Sequence, residues 1–248
     1  MGKLCGVLLS VLVLAVGCEV DSLTPSDTSS LYPDELSESE LKRLSFEAMG
    51  GSAEAAERVA KHYWAVYKKN YMVSDESPDK QARIAWELIG AENGSGEGRY
   101  NTAYYFSGWG FSLSKIPRAV FWLRLEARNG YNSAMGWLVR EAIPLDFDFP
   151  SDDSFPDSYK DMTAEMLGAC EEAALNGSGK AALLLGGYYM SIVNNVDLAE
   201  YWYRIGAQNG NPLCQSDIAS FYGLKGDRLN GARATFWGNK AEENGYTP

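Results

Sequence analysis

The chain has 248 residues and carries 22 basic against 33 acidic side chains, a formal net charge of −11. An acid excess of this size repels phosphate backbones and anionic head groups, so it speaks against nucleic acid as a partner and favours a basic protein surface. The length suffices for one well-buried domain of about 200 residues with extensions.

The N-terminus reads as a targeting segment. Lys3 is followed by the apolar run Leu8 to Val16 and by Gly17-Cys18. That is a secretory signal, too short to span a bilayer as a mature helix. Leu14-Ala15-Val16-Gly17-Cys18 resembles a bacterial lipobox, with Ala15 where that motif usually has leucine. The resemblance implies lipidation of Cys18, which becomes the first mature residue. An ordinary signal peptide with a chance cysteine is the alternative. Glu19 is not the aspartate associated with inner-membrane retention, so the expected location is the periplasmic face of the outer membrane. Without residues 1–17 the chain has 231 residues, 21 basic and 33 acidic, for a formal charge of −12. The next stretch is rich in Ser, Asp, Glu, Thr and Pro and reads as a flexible acidic tether. The expected organisation is a signal peptide over 1–17, a tether over 18–40 and one domain over 41–248.

Five Asn-Gly pairs mark that domain: Asn93-Gly94, Asn129-Gly130, Asn176-Gly177, Asn209-Gly210 and Asn244-Gly245, with successive glycines 36, 47, 33 and 35 residues apart. Trp86, Trp122, Trp202 and Trp237 each stand eight residues before one of those glycines. Such periods signify stacked helical repeats. With glycine as position zero and Gly51 starting the first repeat, position four is small (Ala55, Gly98, Ala134, Ala181, Cys214). Position eight is mostly branched (Val59, Thr102, Leu138, Leu185, Ile218), and position twelve is aromatic in Tyr63, Phe106, Tyr189 and Tyr222. These spacings form one helical stripe. A second helix, carrying the tryptophan, ends at Asn-Gly because glycine enters the left-handed region without penalty. Ser95, Ser178 or Asn211 then caps the next helix.

The segments Asp197 to Gly210 (DLAEYWYRIGAQNG) and Ile116 to Gly130 (IPRAVFWLRLEARNG) resemble the Sel-one-like repeat family, relatives of tetratricopeptide repeats. The likeness covers roughly residues 50 to 245. It implies an all-α fold, a right-handed α-solenoid of about five helix-turn-helix repeats, whose first helices line the concave face. Repeat three departs most, with Ala169 where tryptophan is expected.

The long intervals are insertions between the helices of a pair, Lys68 to Lys80 in repeat one and Ile143 to Asp161 in repeat three. The second combines Asp146, Asp148, Asp152, Asp153 and Asp157 with Phe147, Phe149 and Phe155. Aromatic anchors rimmed by charge suit a protein-binding loop. A solvated loop whose phenylalanines tuck back onto neighbouring helices is the equal alternative. A calcium site would need the glycine and terminal glutamate of an EF-hand, which are absent. On the first helices, Arg58, His62, Tyr104, Trp137, Arg140 and Asp217 are expected on or beside the concave face. They join the loop residues as candidate partner contacts.

No catalytic set stands out. The chain has one histidine, His62, more in keeping with a structural role than with a base, and no histidine pair for a metal. There is no nucleophile elbow and no phosphate-binding glycine loop, so no cofactor is implied. Cys170 and Cys214 fall a helix pair apart, with Cys214 at a small packing position, which favours free buried thiols. The expected function is non-catalytic protein binding. Among proteins similar to this one, a recurring role is immunity, in which a periplasmic Sel-one-like lipoprotein neutralises an antibacterial phospholipase delivered by a type VI secretion system. The resemblance therefore implies a basic-clefted toxin or effector as partner. The alternatives are a cell-envelope scaffold and a carboxylate-dependent hydrolase.

Overall fold

A computed structural model describes residues 34–70, 77–107, 116–144 and 154–247. These are all-helical: α1 Glu38–Met49, α2 Ala53–Lys69, α3 Pro78–Asn93, α4 Gly96–Ser107, α5 Pro117–Arg128, α6 Asn132–Arg140, a 3-10 turn Tyr159–Asp161, α7 Ala164–Asn176, α8 Gly179–Ser191, α9 Val196–Gln208, α10 Pro212–Lys225 and α11 Arg228–Glu243. The chain forms two compact units, 1–99 and 100–248, the division falling within α4.

In the first unit α1 packs on α2 and α3, and α2 pairs with α3. In the second, α5 pairs with α6 and α7 with α8, while α9 packs against both α8 and α10, and α10 pairs with α11. Second helices also touch second helices (α5 on α7, α7 on α9), and the first helix α8 touches the first helix α10. This is the arrangement of stacked helix pairs. Helix α1 begins at Glu38, inside the stretch read as tether, because Ser37 and Glu40 form a reciprocal capping box.

The glycine ruler has a common geometry. Gly51, Gly94, Gly130, Gly177, Gly210 and Gly245 all have positive φ, between 86° and 124°. At each, the following residue's N–H donates back to a carbonyl five residues earlier, as in Ser95 to Gly90 (2.9 Å) and Asn211 to Gly206 (3.0 Å). The glycine's own N–H reaches three residues back, which completes a Schellman stop. The asparagine has a separate task that the sequence pattern did not reveal. Asn93 Nδ2 donates to Ala48 O (2.7 Å) and Ser52 O (3.2 Å) at the end of the preceding repeat. Asn209 Nδ2 repeats this on Ala174 O (2.8 Å) and Ser178 O (3.2 Å). At the last junction Asn244 Nδ2 donates to Gln215 Oε1 (2.9 Å), whose Nε2 donates to the equivalent carbonyl, Ala207 O (3.2 Å). Asn93, Asn209 and, through Gln215, Asn244 thus fasten a helix end to the junction before it, as second donors to carbonyls that already accept a backbone N–H (Ala48 O from Gly51, Ala174 O from Gly177), whereas Asn129 and Asn176 bond to Glu126 Oε1 and Glu172 O of their own helices.

The core follows the stripe. Ala55, Ala134, Ala181, Cys214, Val59, Leu138, Leu185 and Ile218 are at most 2% exposed, and all four ruler tryptophans are buried. Arg118 and Arg233 are buried beside them, their guanidinium carbons 3.8 and 4.2 Å from the centroids of Phe121 and Phe236. These are the same position of two repeats, in the sequences Arg118-Ala-Val-Phe-Trp122 and Arg233-Ala-Thr-Phe-Trp237. Stacking on an aromatic face suits the weakly hydrated guanidinium. A Cβ on Gly98 would lie 2.7 Å from Ala91 N, so only glycine lets α4 approach α3 this closely. Cys170 and Cys214 are free and buried.

Repeat three is packed differently from its neighbours. Ala169, at the tryptophan position, is exposed, and Cys170 points into the core instead. Phe155 from the insertion fills the space, only 8% exposed among Cys170, Ala173, Ala174, Leu184 and Trp202. Tyr159 lies over Gly187, where a Cβ would collide with its ring. Phe155 is therefore a core anchor and not an exposed partner contact. The tucked-back alternative holds for this residue, because the repeat that lacks its tryptophan must import aromatic volume.

Candidate functional site

Helices α4 and α6 are the first helices of repeats two and three, and within the second unit they bring an aromatic cluster to the surface. Tyr100 and Tyr104 stand one turn apart on α4. Trp137 of α6 sits against both, with ring centroids 6.2 Å from Tyr100 and 6.1 Å from Tyr104 and interplanar angles of 84° and 75°. Tyr131 meets Tyr100 edge-on at 5.6 Å. Arg140, one turn after Trp137, places its guanidinium carbon 4.5 Å from the Trp137 centroid. Edge-to-face rings are a preferred aromatic geometry and hold one another in place. Tyr104 is 36% and Tyr131 38% exposed, while the Arg140 side chain is 61% exposed.

Two local features build this surface. Tyr131 occupies the N-cap of α6 and makes no side-chain capping bond. At the same place the other repeats bond Gly98 N to Ser95 Oγ (2.7 Å), Ala181 N to Ser178 Oγ (3.1 Å) and Cys214 N to Asn211 Oδ1 (3.0 Å). Repeat three has an aromatic where its siblings have a cap. Helix α6 is also only nine residues long. It stops in a Schellman geometry with Ala142 at φ 54°, Ile143 N donating to Leu138 O (2.9 Å) and Ala142 N to Val139 O (3.1 Å). The short helix further exposes Met135 (39%) and Val139 (73%).

Of the residues expected to contact a partner, the fold brings Tyr104, Trp137 and Arg140 together. It adds Tyr100 and Tyr131, which the sequence pattern had not marked. Tyr131 could have been found as the odd residue at the cap position of the ruler. Asp217 is half-buried on α10, and burial pushes its carboxyl above the usual range. It neighbours Tyr203 and Cys214 electrostatically, and burial raises both of those groups as well. Arg58 is exposed on α2 in the first unit. His62, also on α2, accepts a hydrogen bond at Nδ1 from Leu36 N–H (3.0 Å), a structural engagement. Asp157 is fully exposed and pairs with Lys180 Nζ at 3.3 Å. Asp146, Phe147, Asp148, Phe149, Asp152, Asp153 and Cys18 lie outside the described residues.

Chemically, the α4–α6 surface offers ring faces, phenolic hydroxyls and one stacked cation. Tyr, Trp and Arg are the residue types enriched at interface hot spots. Among the described residues no group of three His, Cys, Asp or Glu side chains could hold a metal ion. No described helix is long and apolar enough to cross a membrane.

No family model matches the chain, and no curated protein matches it in sequence. Among solved structures, it is similar to a Sel1 repeat protein from Oxalobacter formigenes at 20% identity, with 79% of this chain and 74% of that chain covered and a TM-score of 0.30. A TM-score this low lends no weight to a shared function. The repeat assignment rests on the glycine-stopped, stacked helices themselves.

Proposed function

We propose that this protein is a non-catalytic, protein-binding repeat domain that engages its partner through the Tyr100–Tyr104–Tyr131–Trp137–Arg140 surface. The observation that carries the reading is the cap position of α6, where an exposed tyrosine stands in place of a helix-capping residue and packs into a cluster with Trp137. A position that forgoes a stabilising cap for an exposed ring is accounted for by recognition.

In its finer form, the proposal is an immunity protein of the Sel-one-like kind. It is tethered to the periplasmic face of the outer membrane through Cys18 and occludes the basic cleft of an antibacterial, phospholipase-type secreted effector. The supports are the lipobox-like residues 14–18, the formal charge of −12 after residue 17 and the repeat architecture. Acidity would steer the encounter and aromatic anchors would set the residence time. The test is periplasmic co-expression with the product of a neighbouring toxin-like lipase gene, using the natural chain and a Tyr104→Ala/Trp137→Ala variant. The natural chain should relieve toxicity and co-purify at moderate salt, and the variant should lose both while keeping its helical spectrum. Unrelieved toxicity would overturn the immunity reading, leaving an envelope scaffold as the alternative. Unchanged binding by a folded variant would overturn the surface.

A further inference from the structure

The residues before α1 are fastened to α2 at two points. Leu36 N–H donates to His62 Nδ1 at 3.0 Å, and Lys69 Nζ lies 3.2 and 3.3 Å from the two carboxylate oxygens of Glu35. Ser37 follows directly as the cap of α1. Residues 34–37 therefore form a strap laid along α2 and locked to the helix that follows it. The His62 ring holds the strap as an acceptor, and that geometry fixes its tautomer, with the proton on Nε2.

We propose that this strap is an acid-released clasp: protonation of His62 turns its Nδ1 from acceptor into donor and frees residues 34–36 from α2. A donor facing a donor cannot hold the Leu36 amide, and the imidazolium would sit in a site built for the neutral ring. The charged and titratable groups around it are Glu35 of the strap, which pairs with Lys69, Asp79 of α3 and the edge-on Tyr63 of its own helix (5.1 Å). Burial depresses the histidine below its ordinary value and outweighs the attraction of Glu35 and Asp79 for a proton. The sign follows. The unfolded chain takes up its proton first as pH falls, so the clasp is at full strength above about 6.5 and weakens as pH falls through the lower folded value. Release would uncover the His62 side of α2.

The experiment is amide hydrogen exchange on the full-length protein at about pH 7.5 and about pH 5, with Leu36 protection corrected for its intrinsic rate. Leu36 should lose at least about tenfold in protection at the lower pH, while the Val59 amide in the middle of α2 stays protected. His62→Asn, which keeps an acceptor near Nδ1 and cannot titrate in this range, should hold Leu36 at both pH values, and His62→Ala should release it at both. Glu35→Gln should keep the pH response, which separates the histidine from the Glu35–Lys69 pair. The proposal is overturned if wild-type Leu36 protection is unchanged at the lower pH, if His62→Asn loses protection in parallel with wild type, or if Glu35→Gln abolishes the response.

Discussion

Asn209 is the most demanding position in the ruler, because its two amide ends are used by two different elements. Its Nδ2 donates to Ala174 O and Ser178 O, and its Oδ1 accepts from Arg118 Nη1 at 2.7 Å. Asn93 makes the same two donor contacts in the first unit, on Ala48 O and Ser52 O. Truncating either to alanine deletes two amide–carbonyl bonds, at about 0.5–1.5 kcal/mol each, so about 2 kcal/mol is common to both. Asn209→Ala also removes an acceptor from a guanidinium that is 4% exposed, and a charge-assisted bond contributes a further ~1.5–3 kcal/mol. Asn209→Ala should therefore cost about 3–5 kcal/mol and Asn93→Ala at least about 2. Urea titration followed by circular dichroism, with hydrogen exchange reporting on each unit separately, gives both values. A loss for Asn209→Ala no greater than about 2 kcal/mol would refute the Arg118 assignment. Losses below about 0.5 kcal/mol in both would refute the staple itself.

Three further predictions concern the site and its surroundings. Tyr131→Ser should be more stable than Tyr131→Ala by about 1 kcal/mol, because both lose the ring contact with Tyr100 and serine alone restores a cap. Thermal melts would check this as a shift of about 2–4 °C, and both variants should lose partner binding equally. Ala142→Gly should stabilise by about 0.5–1 kcal/mol, since glycine relieves the left-handed backbone at φ 54° but loses more unfolded-chain entropy; a destabilised variant in urea titration would contradict the strain. For Asp217, burial raises the folded value, so its stabilising contribution is present below the unfolded value and is lost as pH rises through the folded one. Asp217→Asn should accordingly melt higher than wild type at neutral pH, with the difference shrinking below about pH 4. A constant difference across pH would refute the desolvation argument.

Much of the fold was legible in the sequence, because helix stops and small-residue stripes are local devices. A glycine after the last turn, tryptophan eight residues earlier and alanine four residues later state their roles through spacing alone, and each is found where that spacing puts it. The site was legible only in part. Tyr104, Trp137 and Arg140 could be assigned to first helices, but that they form one cluster with Tyr100 and Tyr131 depends on where α4 and α6 meet. Phe155 shows the opposite limit. Its sequence context left an exposed and a tucked-back ring equally open, and the choice was made elsewhere: Ala169 turned outward leaves a gap beside Cys170 that a distant aromatic fills. Volume in a core is a property shared by several elements, so no single segment announces it.

What the sequence determined by itself was the repeat: its period, its helix ends, its packing stripe and the two places where the period stretches. Those follow from backbone conformation and helical periodicity, which act over a few residues. What only the tertiary structure decided was the use of side chains that bridge elements. Asn209 reaches Ala174 and Arg118, His62 holds Leu36, and Tyr131 forgoes a cap to stand beside Tyr100. Hydrogen bonds and ring contacts are satisfied within a few ångströms in space, so partners 26 to 91 residues apart become visible only once the helices are stacked.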